Sequence, residues 1–432
     1  MVAVDRLIQA HKAFAANGAS AAPAWLKALR DGGIARFGAL GFPTTKQEAW
    51  RFTSVAAIAE TAFELSPRVS GTGYRVSGEL AVHRLVFVNG HFSAEQSRVK
   101  DLPQGVRVES LARALVTDAP SVEAHLGKYA PTQDHPFAAL NTAFLEDGAF
   151  VYVPAGIALA EPIELVFLAA PGTAPHVAHP RNLIVVERGA RATVVETYAS
   201  LPTDQESVYW TNAVTEVVAG DGARVDCYRV QRESDRAYHV AVTDVHQGRD
   251  STVNVHAVAL GAALARHDLR GKLAGPGGYL ILNGLYLLAG DQHADHHTAI
   301  DHAAPHCESH EYFNGVLDDR SRGVFNGRII VRPGAQKTDS KQTNNNLLLS
   351  RDAHADSQPQ LEIYADDVKC THGSTVGPLD PKALFYLESR GIGAVEARRL
   401  MTYGFAAEIL NRMDIAPLRE QLDRIVRGRL AE

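Results

Sequence analysis

Two groups of side chains in the 432-residue chain carry donor atoms dense enough for metal or acid–base chemistry. The first comprises His293, His296, His297, His302, His306 and His310, interleaved with Asp295, Asp301 and Cys307. Imidazole, carboxylate and thiolate are all competent metal ligands. The spacing matches no closed tetrahedral set, however, and neighbouring residues of a strand point to opposite faces. The cluster therefore reads as stacked polar positions or an interface in a repetitive fold. The competing reading is a metal site serving a β-helix lyase or hydrolase.

The second group is Lys369-Cys370-Thr371-His372-Gly373. In an extended segment Cys370 and His372 project from one face and Thr371 from the other, so thiolate and imidazole could share a metal or iron-sulfur centre. Lys369 would favour the thiolate, and Gly373 would let the backbone bend away. A buried thiol beside an unrelated histidine is the plainer reading of the same spacing. Cys227, within Val225-Asp226-Cys227-Tyr228, reads as core.

Other chemistries have no carrier. The sequence holds no GxxxxGK[ST] loop for nucleotide hydrolysis, neither HExxH nor GxSxG, and no GxGxxG between a strand and a helix. Forty-three Lys+Arg against 49 Asp+Glu leave a net charge of −6, which supplies no general attraction to nucleic acid or anionic membrane. No apolar run approaches the roughly 18 residues of a membrane span. Asp5, Arg6 and His11 interrupt any secretory signal. Three cysteines, 80 and 63 residues apart, make no disulfide framework, and a reducing cytosol is the expected compartment.

The elements that must position these groups fall into three regions. Residues 1–150 read as helical, then mixed. Leu7, Ile8, His11 and Phe14 recur at helical spacing, as do Trp25, Leu26 and Leu29. Gly32-Gly33 punctuates this segment, and a strand Leu85–Val88 closes at Asn89-Gly90. Residues 151–376 read as short strands, among them 164–168, 183–186, 193–197, 214–218, 225–230, 240–245, 253–258, 279–288 and 328–331. Gly- or Asp-containing turns join them without intervening helices. A coiled stack of strands fits this pattern better than a sandwich, although the degenerate repeat hides its period. Residues 377–432 return to helix, with Pro381, Gly391 and Pro417 as boundaries. Met401, Phe405, Ile409 and Met413 form one helical stripe there, and Leu418, Leu422, Ile425 and Val426 another. Such stripes would pack on an end of the coil and hide its terminal edge.

The run Pro359 to Gly377, PQLEIYADDVKCTHGSTVG, closely resembles the SufD-type signature of the SufB/SufD family, subunits of the SUF iron-sulfur cluster assembly machinery. Further blocks agree in order: Lys46–Thr53, Val88–Phe92, Leu140–Phe144, Val324–Gly327, Gln342–Leu348 and Phe385–Ile392. Thr371 stands where the family often has Ser. The resemblance spans roughly residues 45 to 410.

It implies a right-handed parallel β-helix between N- and C-terminal helical regions, and a non-catalytic scaffold with no catalytic residue of its own. It also implies a heterodimer with SufB through the β-helices and a transient iron-sulfur cluster shared with SufB, none being held stably by the isolated chain. Cys370 and His372 match the family's contribution to that site, His372 being the better candidate for direct ligation. The SufC ATPase would dock on the C-terminal helices. There Phe385, Tyr386, Arg390, Met401, Phe405 and Ile409 are richer in aromatic and apolar anchors than a solvated cap requires. A homodimer of the isolated chain is also expected to be accessible.

Overall fold

The computed structural model describes residues 3–16, 22–69, 80–130, 132–170, 172–201 and 207–431. Its centre is two long sheets, one of eleven strands and one of ten. From Arg181 to Gly377 successive strands alternate strictly between the two sheets, and each pairs in parallel with the strand two places away in sequence. That connectivity is a coil of two strands per turn, a parallel β-solenoid. The partners Thr252, Tyr279, Glu308, Asp339 and Lys369 align along the ten-stranded sheet in steps of 27, 29, 31 and 30 residues. The drift in that step is why no fixed period shows in the sequence.

Each strand segment named from the sequence between 164 and 331 lies within a strand of the structure. The pattern missed Leu264–Leu273, His293–His302, Glu308–Leu317, Asp339–Leu348 and His354–Ile363. These are rich in His, Asp, Asn, Gln and Glu, and although Leu269, Leu273, Ile300 and Phe313 reach the core, the apolar positions are too sparse to show an alternating pattern. Strand His83–Val88 also belongs to the solenoid, pairing in parallel with Ile163–Ala169. Its hairpin to His91–Phe92 turns on Asn89 and Gly90, both at positive φ. Phe87, Phe167 and Tyr198 share one register position on three neighbouring strands and stack through the interior, with ring centroids 5.0 and 4.7 Å apart.

The two helical regions lie on opposite outer faces. The N-terminal helices cover the eleven-stranded sheet: Phe37, Trp50, Phe137 and Leu140 pack on Val177, Trp210 and Val240, and Leu111 and Val122 pack on Leu183 and Val185. Glu216 ties this layer down. It pairs with fully buried Arg181 at 2.8 Å and accepts hydrogen bonds from the backbone N–H groups of Gly127, Tyr129 and Ala130. Gly32 and Gly33 do not interrupt a helix, contrary to expectation; both lie inside Ala24–Leu40. A Cβ on Gly33 would fall 2.7 Å from the backbone N of Ala143 and 2.8 Å from the carbonyl of Ala139. The glycine therefore permits close helix contact, and packing outweighs its poor helix propensity.

The C-terminal helices Pro381–Ser389, Ala394–Leu410 and Ala416–Arg429 form as expected but do not cap the coil. Ile409, Leu410, Met413, Leu418, Leu422 and Val426 pack instead on Tyr228, Val230, Val258, Leu285 and Val316, the outer face of the ten-stranded sheet. The last strand of each sheet is consequently left uncovered.

Candidate functional site

The open end consists of His354–Ile363 and Lys369–Gly377, each paired on one side only among the described residues. The first strand is half-buried along most of its length and the second largely exposed. Pro359 lies in the first, as proline in a sheet is confined to edges. Ser374 and Ser357 join the two edges across the coil at 2.8 Å.

Cys370 and His372 sit on the second edge strand, aligned with Ser340 and Gln342 of the strand beneath. Ser340 and Gln342 are buried inside the coil, so the two donors share the inward face at its open mouth. Cys370 is half-buried and packs near Ile329, Val331 and Ala365, whereas His372 is exposed. Burial, then the charge of Asp339, push the Cys370 thiol up. The expected help from Lys369 does not prevail in the isolated chain. Nor does the backbone bend away at Gly373, which continues the strand opposite Thr343.

The histidine cluster does not converge. His296 and His302 face the interior, where His302 bonds Ser309 at 2.8 Å. His306 occupies a turn at positive φ, and His310 lies edge-on to Tyr279. His293 and His297 face outward, where they help seat the N-terminal segment. Thr53 bonds both His293 and Asp295. Asp295 also binds His297 at 3.1 Å and Arg266 at 2.8 Å, and the Arg266 guanidinium lies 3.6 Å from the Trp50 ring centroid. Asp268 completes the seat between Arg266 and His135. No group of three or more metal-ligating side chains occurs among the described residues. Arg266, Asp268 and Thr53 escaped sequence reasoning because Thr53 lies more than 200 residues from the other two; only the run Lys46–Thr53 hinted at them. Cys307 is buried in a turn, with its thiol 3.4 Å from the Gly275 carbonyl, and Cys227 packs against the aliphatic interior.

On the C-terminal helices Phe385, Tyr386, Val395 and Leu400 are exposed, Phe385 by 71%, and the Arg390 guanidinium lies 5.1 Å from the Tyr386 ring centroid. Met401 and Phe405 are half-buried. Ile409 is fully buried against the solenoid, so it anchors the helix and offers nothing to a partner.

Two family models describe nearly the whole chain. The SufBD protein N-terminal region matches residues 3–165, and the SufBD core domain of SUF-system FeS cluster assembly matches residues 167–405. The chain belongs to the SufBD family. Among its relatives are an iron-sulfur cluster assembly SufBD family protein of Synechocystis, 34% identical over 92% of this chain and 89% of the relative. The iron-sulfur cluster assembly protein SufD of Escherichia coli is 31% identical over 88% of each chain, and that of Bacillus subtilis is 30% identical over 94% of each. No helix among the described residues of this SufBD chain is long and apolar enough to cross a membrane.

The buried histidines make this SufBD fold sensitive to acid. Burial pushes His179 down to about 3 and His256, His296 and His302 down to about 4. Each protonates near pH 6.5 when unfolded. Above that value both states are neutral and nothing is lost. As pH falls from 6.5 toward 4, only the unfolded chain gains the proton, and stability declines by about 1.4 kcal/mol per histidine per pH unit. Urea midpoints measured between pH 7.5 and 5 should fall steeply, and His302→Asn should flatten the slope.

Proposed function

We propose that the chain is a non-catalytic scaffold of iron-sulfur cluster assembly that pairs with SufB and docks the SufC ATPase. The observation that carries this reading is the open end of the coil, where both sheets present unpaired strand edges beside Cys370 and His372. Exposed edges are templates for pairing with another chain, and main-chain hydrogen bonds supply the affinity. A second β-solenoid of the same cross-section, SufB, continues both sheets at once. Without SufB, the same edges accept a second copy of this chain.

The thiol and imidazole then face the junction. Two protein donors seldom hold a cluster that usually takes four, so the isolated chain retains no cluster and SufB supplies the rest. One neutral imidazole in place of a thiolate lowers the charge of the set and loosens its grip, which suits a cargo that must leave. Three unpaired thiols fit a reducing cytosol. The exposed aromatic surface around Phe385 and Tyr386 is the dock for SufC. Its aromatic side chains and Arg390 match the anchors enriched at the centre of protein interfaces.

Co-expression with SufB and SufC tests the assembly. The three chains should co-purify, and a charged or proline substitution at an edge position such as Thr375 should release SufB while leaving the monomer folded. Retention of SufB by the edge variant would move the junction elsewhere.

A further inference from the structure

The interior of the coil changes character immediately beneath the two candidate donors. Along one register column of the ten-stranded sheet the inward residues run Cys227, Val255, Leu282, Glu311, Gln342, His372; along the next they run Val225, Val253, Leu280, Ser309, Ser340, Cys370. Both columns are aliphatic or thiol up to Leu282 and Leu280. The first then turns polar for its last three turns, and the second for Ser309 and Ser340 before it ends in the Cys370 thiol. A polar interior costs stability unless every group is satisfied, and in the first column Glu311 Oε1 and Gln342 Oε1 are both buried without a hydrogen-bond partner among the described residues.

Gln342 is 1% exposed, and its Nε2 donates to the Glu311 carboxylate. Its Oε1 is buried with no hydrogen-bond partner among the described residues. Space for this amide is built into the opposite sheet: a Cβ on Gly327 would lie 2.2 Å from Gln342 Nε2. Side-chain amides stacked in register form ladders, each donating to one neighbour and accepting from the other. Gln342 is flanked in register by Glu311 on one side and His372 on the other, so with Nε2 committed to Glu311 the free acceptor has His372 as its remaining neighbour in the column. Aligned side chains on neighbouring strands are about 4.8 Å apart, within reach of the imidazole by side-chain rotation alone.

We infer that Gln342 is a positioning residue for His372, its Oε1 accepting one ring N–H so that the other ring nitrogen is presented, unprotonated, at the open mouth. A metal-binding histidine needs such a second contact to hold its tautomer and orientation. The inference rests on the proposed ligand role of His372, and Gln342 itself touches no cargo.

Ring-15N spectra of the histidine-labelled full chain at pH 8, with His372 assigned by its loss in His372→Ala, test the contact. In the unsubstituted chain His372 should show one dominant tautomer with a slowly exchanging ring N–H. Gln342→Met should average the two ring-nitrogen signals, and Gln342→Glu, which keeps an acceptor, should restore them. Averaged signals in the unsubstituted chain, or unchanged signals in a folded Gln342→Met, would overturn the inference. Should the methionine variant fail to fold, the unsubstituted spectrum and Gln342→Glu still decide. Normal cluster content in a His372→Ala complex would instead sink the ligand role and leave these spectra as they are.

Discussion

His372→Ala, co-expressed with SufB and SufC, should yield an intact complex with severely reduced cluster content. The imidazole is exposed on an edge strand, where water replaces the inferred bond to Gln342 once the side chain is gone. Its removal should therefore cost the fold less than about 0.5 kcal/mol, the range of ordinary surface substitutions. Losing one donor from a shared set is a different matter, because the remaining ligands cannot close the coordination. Cys370→Ser distinguishes direct ligation from support. It should match His372→Ala if the thiolate binds iron. It should be milder if the thiol, held up by burial and Asp339, stays protonated inside the coil. Iron and sulfide per complex, measured beside stoichiometry by native mass spectrometry, provide the readout. Normal cluster content in an intact His372→Ala complex removes this residue from the mechanism.

The second large effect is expected at the helical surface. Phe385→Asp combined with Tyr386→Ala should weaken SufC association by about 30-fold or more, the loss of a hot spot worth about 2 kcal/mol. Helix Pro381–Ser389 contains no buried residue and starts on Asp380, which accepts from the Lys382 N–H. The double variant should thus melt with the unsubstituted chain. Deleting everything from Pro381 onward is a poorer test. It would strip Ile409, Leu410 and Met413 from Tyr228, Val230 and Val258 and uncover an apolar sheet face. Titration of SufC against the double variant by calorimetry checks the point. Undiminished affinity would place the dock on another surface.

The sequence by itself determined the local chemistry of this protein. Alternating Val, Leu and Ile runs, with Gly and Asp at the turns, sufficed for most solenoid strands, because burial of one face is written into neighbouring residues. Proline and glycine punctuation bounded the C-terminal helices for the same reason. The run around Cys370 and His372 was also legible, since two donors one residue apart share a face in any strand. Tertiary structure alone decided the rest. The coil's hydrogen bonds join residues about 30 positions apart with a drifting step, so polar strands such as His293–His302 and Asp339–Leu348 carry no local sign of their partners. Only the folded chain divides the six histidines between interior, turn and outer face, and seats Thr53 against Asp295 across 242 residues. Ile409 and Phe405 belong to one sequence stripe, yet the sheet beneath buries the first completely and leaves the second half-covered. Which face of that helix meets the solenoid depends on the surface it lands on, and that surface is assembled from strands scattered between residues 195 and 316.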